Sequence, residues 1–259
     1  EGDVTTRALG LPGKSATVHV AGREAGVAAG LKTIELVFEQ IGAAGVEITT
    51  AKGDGERFSP GARLAQLRGD AGAILLAERT LLNLLGRLSG IATLAAQYAE
   101  AAAVAGATIY DTRKTTPGWR RLEKYAVGCG GCRNHRRSLA DAFLLKDNHL
   151  ALWAGTPWAP EALVEAIEAM RRYAAEHDLS GLPVVLPAGP EIVLLDNMTP
   201  AELRQAAEIR DRLAPDVALE ASGGIGLESI PEVAATGVER ISVGSLTHAA
   251  RSLDVGLDW

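Results

Sequence analysis

The chain has 259 residues, a formal charge of −6, 47% apolar and 4% aromatic residues, and two cysteines. That is enough chain for one or two domains with a real core and too few cysteines for a disulfide framework. Acidity, scarce aromatics and the lack of ~18 uninterrupted apolar residues argue against a nucleic-acid or membrane partner. The most apolar stretch, 81–110, is broken by Asn83, Arg87, Gln97 and Glu100. Glu1 and Asp3 stand where a secretory signal would be basic and then apolar, so a cytoplasmic protein is expected. No Met opens the chain, and the expectation is that its start lies upstream.

The first ~90 residues read as a small α/β unit. Ala16–Ala21 alternates like a strand, and Leu31, Ile34, Val37, Phe38 and Ile41 fall at helical spacing. Turn residues at 52–55 and 59–61 punctuate short strands between Val46 and Leu67. Ala71–Leu88 reads as a helix that Ser89-Gly90 interrupts, with a second helix running to about Val104.

Beyond that point short apolar runs alternate with helices. Thr108–Tyr110, Phe143–Leu145, Ile192–Leu195, Val217–Leu219 and Ile241–Val243 each lead into a polar residue or glycine. A striped helix covers Pro160–Ala175, and Thr199 to Glu202 forms a capping box with Pro200 at the first helical position. Alternating strands and helices imply a parallel sheet covered by helices, and over roughly 105–245 an α/β barrel. One place resists this reading. Val184-Val185 looks like a strand, yet only 186–191 separate it from Ile192, and a parallel crossover needs about ten residues or more. Either the run is not a strand or residues are absent there.

Charge is uneven. Residues 113–146 carry nine Lys/Arg against two acids, or +7, while the rest of the chain carries −13. Such a segment is either a solvated basic loop or a means of focusing a small anionic ligand. Its groups include Arg113 and Lys114 after one strand, the Arg133–Arg137 cluster with His135, and Lys146 at the end of another. Ser222-Gly223-Gly224 and Val243-Gly244-Ser245 close the last two strands, the usual phosphate site of α/β barrels. Glycine lets backbone N–H groups approach phosphate oxygens closely. Asp196 and Glu220 at neighbouring strand ends suit Mg²⁺ or ribose hydroxyls, or else balance the cations. Cys129-Gly130-Gly131-Cys132 lacks the further ligands of a closed zinc site, and no role is assigned to it.

In this order the motifs carry a resemblance. They are GDVTT at 2–6, AERTLLNLLGRLSGIAT at 77–93, DTRKTTPG at 111–118, LEKYAV at 122–127, RNHR at 133–136, LLKDNH at 144–149, LLDN at 194–197, EASGGI at 220–225 and ISVGSLTH at 241–248. The set resembles the quinolinate phosphoribosyltransferases over nearly the whole chain. The resemblance implies an N-terminal α/β sandwich domain at 1–104, including linking helices, and an incomplete, seven-stranded type of α/β barrel at 105–245. It also implies a tail at 246–259 that packs back on the first domain. The implied activity is a pentosyltransferase reaction. Quinolinate and 5-phosphoribosyl-1-pyrophosphate give nicotinate mononucleotide, pyrophosphate and CO₂ with Mg²⁺, in de novo NAD synthesis.

Carried over by motif, Arg79, Arg113, His135, Arg136 and Lys146 surround quinolinate, with Arg79 supplied by the partner copy of a homodimer. Thr112, Lys114, Asp196, Ser222, Gly223, Gly224, Val243, Gly244, Ser245 and His248 receive phosphoribosyl pyrophosphate. Lys114, Lys146 and Asp196 act in catalysis, and Asp196 holds the metal, directly or through water. One departure is that the family's Glu-Val-Glu strand motif is missing where the 184–192 crossover is too short. The rival readings are a related phosphoribosyltransferase-like protein linked to molybdate transport, and a non-catalytic phosphate-binding barrel.

Overall fold

The computed structural model describes residues 3–43, 45–155, 160–179, 184–185 and 191–259. In chain order its elements begin with α1 (Val4–Ala8), β1 (Ser15–Gly22), β2 (Gly26–Val27) and α2 (Thr33–Gln40). Next come β3 (Glu47–Thr50), β4 (Arg57–Phe58), β5 (Arg63–Asp70), α3 (Ala71–Ala103), β6 (Thr108–Tyr110) and α4 (Arg120–Cys129). The chain continues through β7 (Phe143–Leu144), α5 (Asp147–Ala154), α6 (Pro160–Glu176), β8 (Val184–Val185), β9 (Ile192–Asp196) and α7 (Pro200–Leu213). It ends with β10 (Ala218–Ser222), a 3₁₀ turn at Leu227–Ser229, α8 (Ile230–Ala234), β11 (Arg240–Ser242), α9 (Ser245–His248) and β12 (Val255–Asp258). Among the described residues no helix is long and apolar enough to cross a membrane.

The chain divides into two units. The first comprises Glu1–Ala99, Lys114–Cys132 and Ser245–Trp259. Its antiparallel sheet has the order β12-β1-β5-β3, so the last strand of the chain pairs with the first. Period-two alternation buries Val18 and Val20 of β1 and Ala65 and Leu67 of β5, and a register shift opposite Val20/Ala21 brings Leu64 into the same core with Ile34 and Phe38 of α2 and Ile74, Leu81 and Leu85 of α3. Glu24 fastens the tail by accepting from Arg251 and from the Asp254 amide. Arg251 and that amide hold the Glu24 carboxyl down at about 2. Segment 114–132 also belongs to this unit, although the strand-helix rhythm groups it with the barrel.

Helix α3 corrects the expectation of a break at Ser89-Gly90, because it runs unbroken for 33 residues. The two residues serve packing instead. The Ser89 hydroxyl accepts from the Ala29 amide at 3.1 Å. A Cβ on Gly90 would overlap the Arg251 carbonyl oxygen, so glycine lets the tail backbone cross the helix. Nearby, the Leu253 amide donates to the Gly86 carbonyl at 2.9 Å. Tertiary contact overrides the local propensity of glycine to end a helix.

The second unit comprises Glu100–Arg113 and Arg133–Gly244. Among the described residues six strands, all parallel, follow the order β6-β11-β10-β9-β8-β7. A single parallel bridge, Tyr110↔Arg133, adds a seventh position beside β6 and makes this an incomplete α/β barrel. Val184-Val185 is strand β8, with Val185 paired to Ile192, so the alternative that this run is not a strand does not hold. The route from β8 to β9, and with it the expectation of an omitted acid-bearing strand, falls at 186–190, outside the described residues. Helix α7 has the expected cap: Glu202 accepts from the Thr199 amide at 2.7 Å, and Thr199 Oγ1 accepts from the Glu202 amide at 3.4 Å.

Gly90→Ala is expected to destabilise the protein by about 1–3 kcal/mol in denaturant unfolding, since the added methyl has nowhere to go. Helix propensity alone favours Ala over Gly by about 1 kcal/mol, so a stabilised variant would show that the tail does not pack there.

Candidate active site

Parallel register sorts the strand residues of the second unit onto two faces. Glu220 pairs with Arg240 and Leu194, Ser222 with Asp196, and Ser242 with Tyr110. These side chains share one face. The alternate positions Ile109, Leu195, Leu219, Ala221 and Ile241 are buried on the other, the face that helices cover. The barrel interior is therefore polar toward the strand C-termini.

A buried ionic network occupies that interior. Glu220 is fully buried, and its Oε2 accepts from Arg240 Nε at 2.7 Å. The Arg240 guanidinium stacks on the Tyr110 ring, 3.7 Å from its centroid. Among the described residues Glu220 Oε1 has no hydrogen-bond partner, but His135 Nε2 lies 3.3 Å away, within ion-pair distance. His135 Nδ1 accepts from the Arg136 amide at 2.8 Å, which places the ring proton on Nε2, facing Glu220. Asp111, also fully buried, holds the backbone of this segment. Its Oδ1 accepts from the His135 amide at 2.7 Å and its Oδ2 from Asn134 Nδ2 at 3.2 Å. Burial opposes ionisation of Glu220, and the His135 and Arg240 contacts outweigh it, holding the carboxyl below its usual value. Of the two readings left open for Glu220, the structure supports charge balance over metal or ribose contact.

The other expected cations of this unit lie at strand ends. Arg136 Nη1 donates to the Ala142 carbonyl at 3.1 Å. Burial, and after it the neighbouring charge of Arg113, push the Arg136 guanidinium below its usual value. The charge of Asp141 opposes this shift, so Arg136 has both a cation and a carboxylate as charged neighbours. Lys146 precedes α5 in extended conformation, and its amide donates to His149 Nδ1 at 3.0 Å. Thr112 follows β6, and Asp196 is exposed at the end of β9 beside Ser222.

The Ser222-Gly223-Gly224 turn follows β10. Gly223 has φ 94°, and a Cβ there would overlap the Asn197 carboxamide. Asn197 has φ 57°, and its amide donates to the Ser222 carbonyl at 2.8 Å. Only glycine at 223 allows this approach. Val243 and Gly244 follow β11, and the Val243 amide donates to the Tyr110 carbonyl at 2.8 Å.

Four expected site residues belong to the first unit. Arg79 is exposed on α3, and Lys114 is exposed in the turn before α4. Ser245 and His248 are in α9, where Ser245 Oγ lies 3.1 Å from the Tyr98 hydroxyl. No disulfide joins Cys129 and Cys132. Cys132 is buried with its thiol donating to the Ala95 carbonyl at 3.1 Å, and burial pushes the Cys129 thiol up, away from reactivity.

Arg240, Asp111 and Asn197 take part in this arrangement although sequence reasoning gave them no role. A signal existed for Arg240: it is charged, sits in an apolar strand, and has an acid one strand earlier.

Because Glu220 is held below its usual value of 4.5, its contribution to stability is present above that pH. It is lost as pH falls through the lowered value. Thermal melts of Glu220→Gln are expected to show a flatter acid limb than wild type, with a loss of about 3–5 kcal/mol near neutrality from the broken buried pair. An acid limb superimposable on that of wild type would exclude Glu220 as an ionised buried group.

Comparison with known proteins agrees with the architecture. Residues 3–89 match the family described as quinolinate phosphoribosyl transferase, N-terminal domain, and residues 91–258 match its C-terminal domain. A nicotinate-nucleotide pyrophosphorylase [carboxylating] of Mycobacterium leprae is 41% identical over 264 residues, covering 99% of this chain and 90% of that protein. That alignment is longer than the chain, so the relative has positions this chain lacks. The human protein of the same name is 39% identical, over 90% of this chain and 78% of its own length. The crystal structure of NadC from Streptococcus pyogenes superposes with a TM-score of 0.88 at 35% identity, covering all of this chain and 90% of that one. With both domains matched and relatives aligned across almost the full length, the chain belongs to the quinolinate phosphoribosyltransferase family.

Proposed function

We propose that this chain transfers the phosphoribosyl group of 5-phosphoribosyl-1-pyrophosphate to quinolinate and decarboxylates the product to nicotinate mononucleotide. The observation that carries the reading is that Arg113, after β6, and Arg136, after the Tyr110↔Arg133 bridge, follow neighbouring parallel positions of one sheet, which brings two cations to the end where a dianion would bind. Lys146 adds a third cation from the β7 end, and the glycine turn after β10 offers backbone amides to a phosphate.

The chemistry follows from charge. Arg113, Arg136 and Lys146 bind both quinolinate carboxylates and orient the ring nitrogen. The nitrogen's lone pair forms a bond to the anomeric carbon as the bond from that carbon to pyrophosphate breaks. Lys114 takes up charge on the departing pyrophosphate. Asp196 faces the ribose, where a carboxylate stabilises positive charge developing at the anomeric carbon. The ribosylated nitrogen is then cationic, so the C2 carboxylate departs as CO₂. Its electron pair stays on C2, beside the positive nitrogen, and takes a proton from solvent. Holding both substrates in line supplies much of the acceleration.

Mg²⁺ suits this arrangement in a limited way. Asp196 is an exposed carboxylate at a strand end, a hard oxygen donor, whereas Glu220 is committed to Arg240. Among the described residues no group of three or more His, Cys, Asp or Glu forms an all-protein cage. A magnesium ion here would rest on Asp196, water and substrate oxygens, and when bound it neutralises pyrophosphate charge. The thiol form of Cys129 and Cys132 suits a reducing compartment, in keeping with a cytoplasmic enzyme.

Incubation with both substrates and Mg²⁺ should release CO₂ and pyrophosphate and form nicotinate mononucleotide. Saturable binding without release would instead mark a phosphate-binding barrel. Lys114→Ala and Arg136→Ala should each lower kcat/KM roughly 30- to 1,000-fold, the effect of losing ~2–4 kcal/mol of charged contact. Wild-type turnover in either variant would remove that residue from the site.

A homodimer in which Arg79 serves the partner's site is also part of this proposal. Mixed dimers of Arg79→Ala and Lys146→Ala chains should regain one intact site, giving about half of wild-type activity, when each chain alone is poor. No recovery would mean that each site is built from one chain.

A further inference from the structure

Within the first unit, one ion pair ties four segments together. Arg87 of α3 donates through Nη2 to Glu123 Oε1 of α4 at 2.7 Å. The same guanidinium donates to the carbonyls of Thr247 and Ala250 in the C-terminal segment. Glu123 is fully buried. Its Oε1 also accepts from the Thr116 hydroxyl at 2.9 Å, and its Oε2 accepts from the Thr116 amide at 3.0 Å. The circuit closes where the buried Thr247 hydroxyl donates to the Lys114 carbonyl at 2.7 Å. The Arg87 and Glu123 charges are therefore spent on each other and on backbone groups. What they hold is the 114–116 turn and the segment bearing Ser245 and His248.

We propose that Arg87, Glu123 and Thr247 are positioning residues that set the Lys114 backbone and the C-terminal turn for the phosphoribosyl substrate. The proposal rests on the reading of Lys114 as the cation on the pyrophosphate side. Its physical basis is preorganisation. An exposed lysine has several rotatable bonds, and fixing its backbone from both sides removes part of the ordering cost of binding a pyrophosphate. A carboxylate that accepts both the amide and the hydroxyl of Thr116 permits one turn conformation. A guanidinium bonded to that carboxylate and to two tail carbonyls gives the turn and the tail a common reference. None of the three side chains needs to touch substrate.

Thr247 offers the mildest test, because Val keeps its shape and Ser keeps its hydroxyl. Thr247→Val is expected to lower kcat/KM for phosphoribosyl pyrophosphate roughly three- to tenfold, the scale of one hydrogen bond, and to leave KM for quinolinate within about twofold. Thr247→Ser should restore the wild-type value. Glu123→Gln should weaken phosphoribosyl pyrophosphate binding by roughly tenfold or more in calorimetric titration, a readout independent of turnover. If that variant does not fold, the Val/Ser comparison still decides. Wild-type turnover with an unchanged Thr247→Val, or equal losses for both substrates that Ser does not rescue, would overturn the positioning role alone. No turnover and no phosphoribosyl pyrophosphate binding by the wild type would overturn the reading of Lys114 itself.

Discussion

The second unit is organised around a carboxylate that water cannot reach. Glu220 sits on β10 with no exposed surface, and an ionised group so placed survives only with compensating charge. His135 and, one strand over in register, Arg240 provide that compensation, and the Tyr110 ring lies beneath the Arg240 guanidinium. The remaining oxygen faces His135. A buried pair of this kind contributes little net stability compared with apolar packing, so its value is in specificity. It sets strand register and tethers the 133–137 segment to the barrel interior, while Asp111 holds the same segment through its backbone. Arg136 is thus carried by a segment whose anchoring charges are already matched.

The parts legible in the sequence were those governed by local rules. Alternation located β1, apolar runs located β6, β7, β9, β10 and β11, and the Thr199-Pro200-Glu202 cap located the start of α7. Of the expected site residues, Thr112, Lys146, Asp196, Ser222 and Val243 fall at or just past strand C-termini, because βα connections return each polar strand end to one side of a parallel sheet. What failed depended on partners far away in sequence. Ser89-Gly90 reads as a helix break until Arg251 crosses it, and Glu220 reads equally as a metal or ribose contact and as a charge partner until Arg240 is beside it. Segment 114–132 reads as barrel because it follows β6, yet Glu123 commits it to Arg87 in the first unit. No window of neighbouring residues contains that information.

The same contrast explains the CxxC sequence. Spacing alone suggests metal or redox chemistry, whereas the burial and hydrogen bond of Cys132 and the raised Cys129 thiol describe two inert groups. Charged residues also divide by commitment rather than by type. Arg87, Arg210 and Arg240 are each bonded to an acid of their own unit. Arg136 instead has both Arg113 and Asp141 as charged neighbours and donates to a backbone carbonyl, that of Ala142.

The central claim is that this cation cluster is matched to two carboxylates on one small ring. Calorimetric titration of the protein with quinolinate, and separately with nicotinate, which has one carboxylate, tests it without requiring turnover. A lost charge-assisted hydrogen-bonded contact is worth about 1.5–3 kcal/mol, so quinolinate should bind roughly 10- to 150-fold more tightly. Equal affinity for the two ligands would contradict the account.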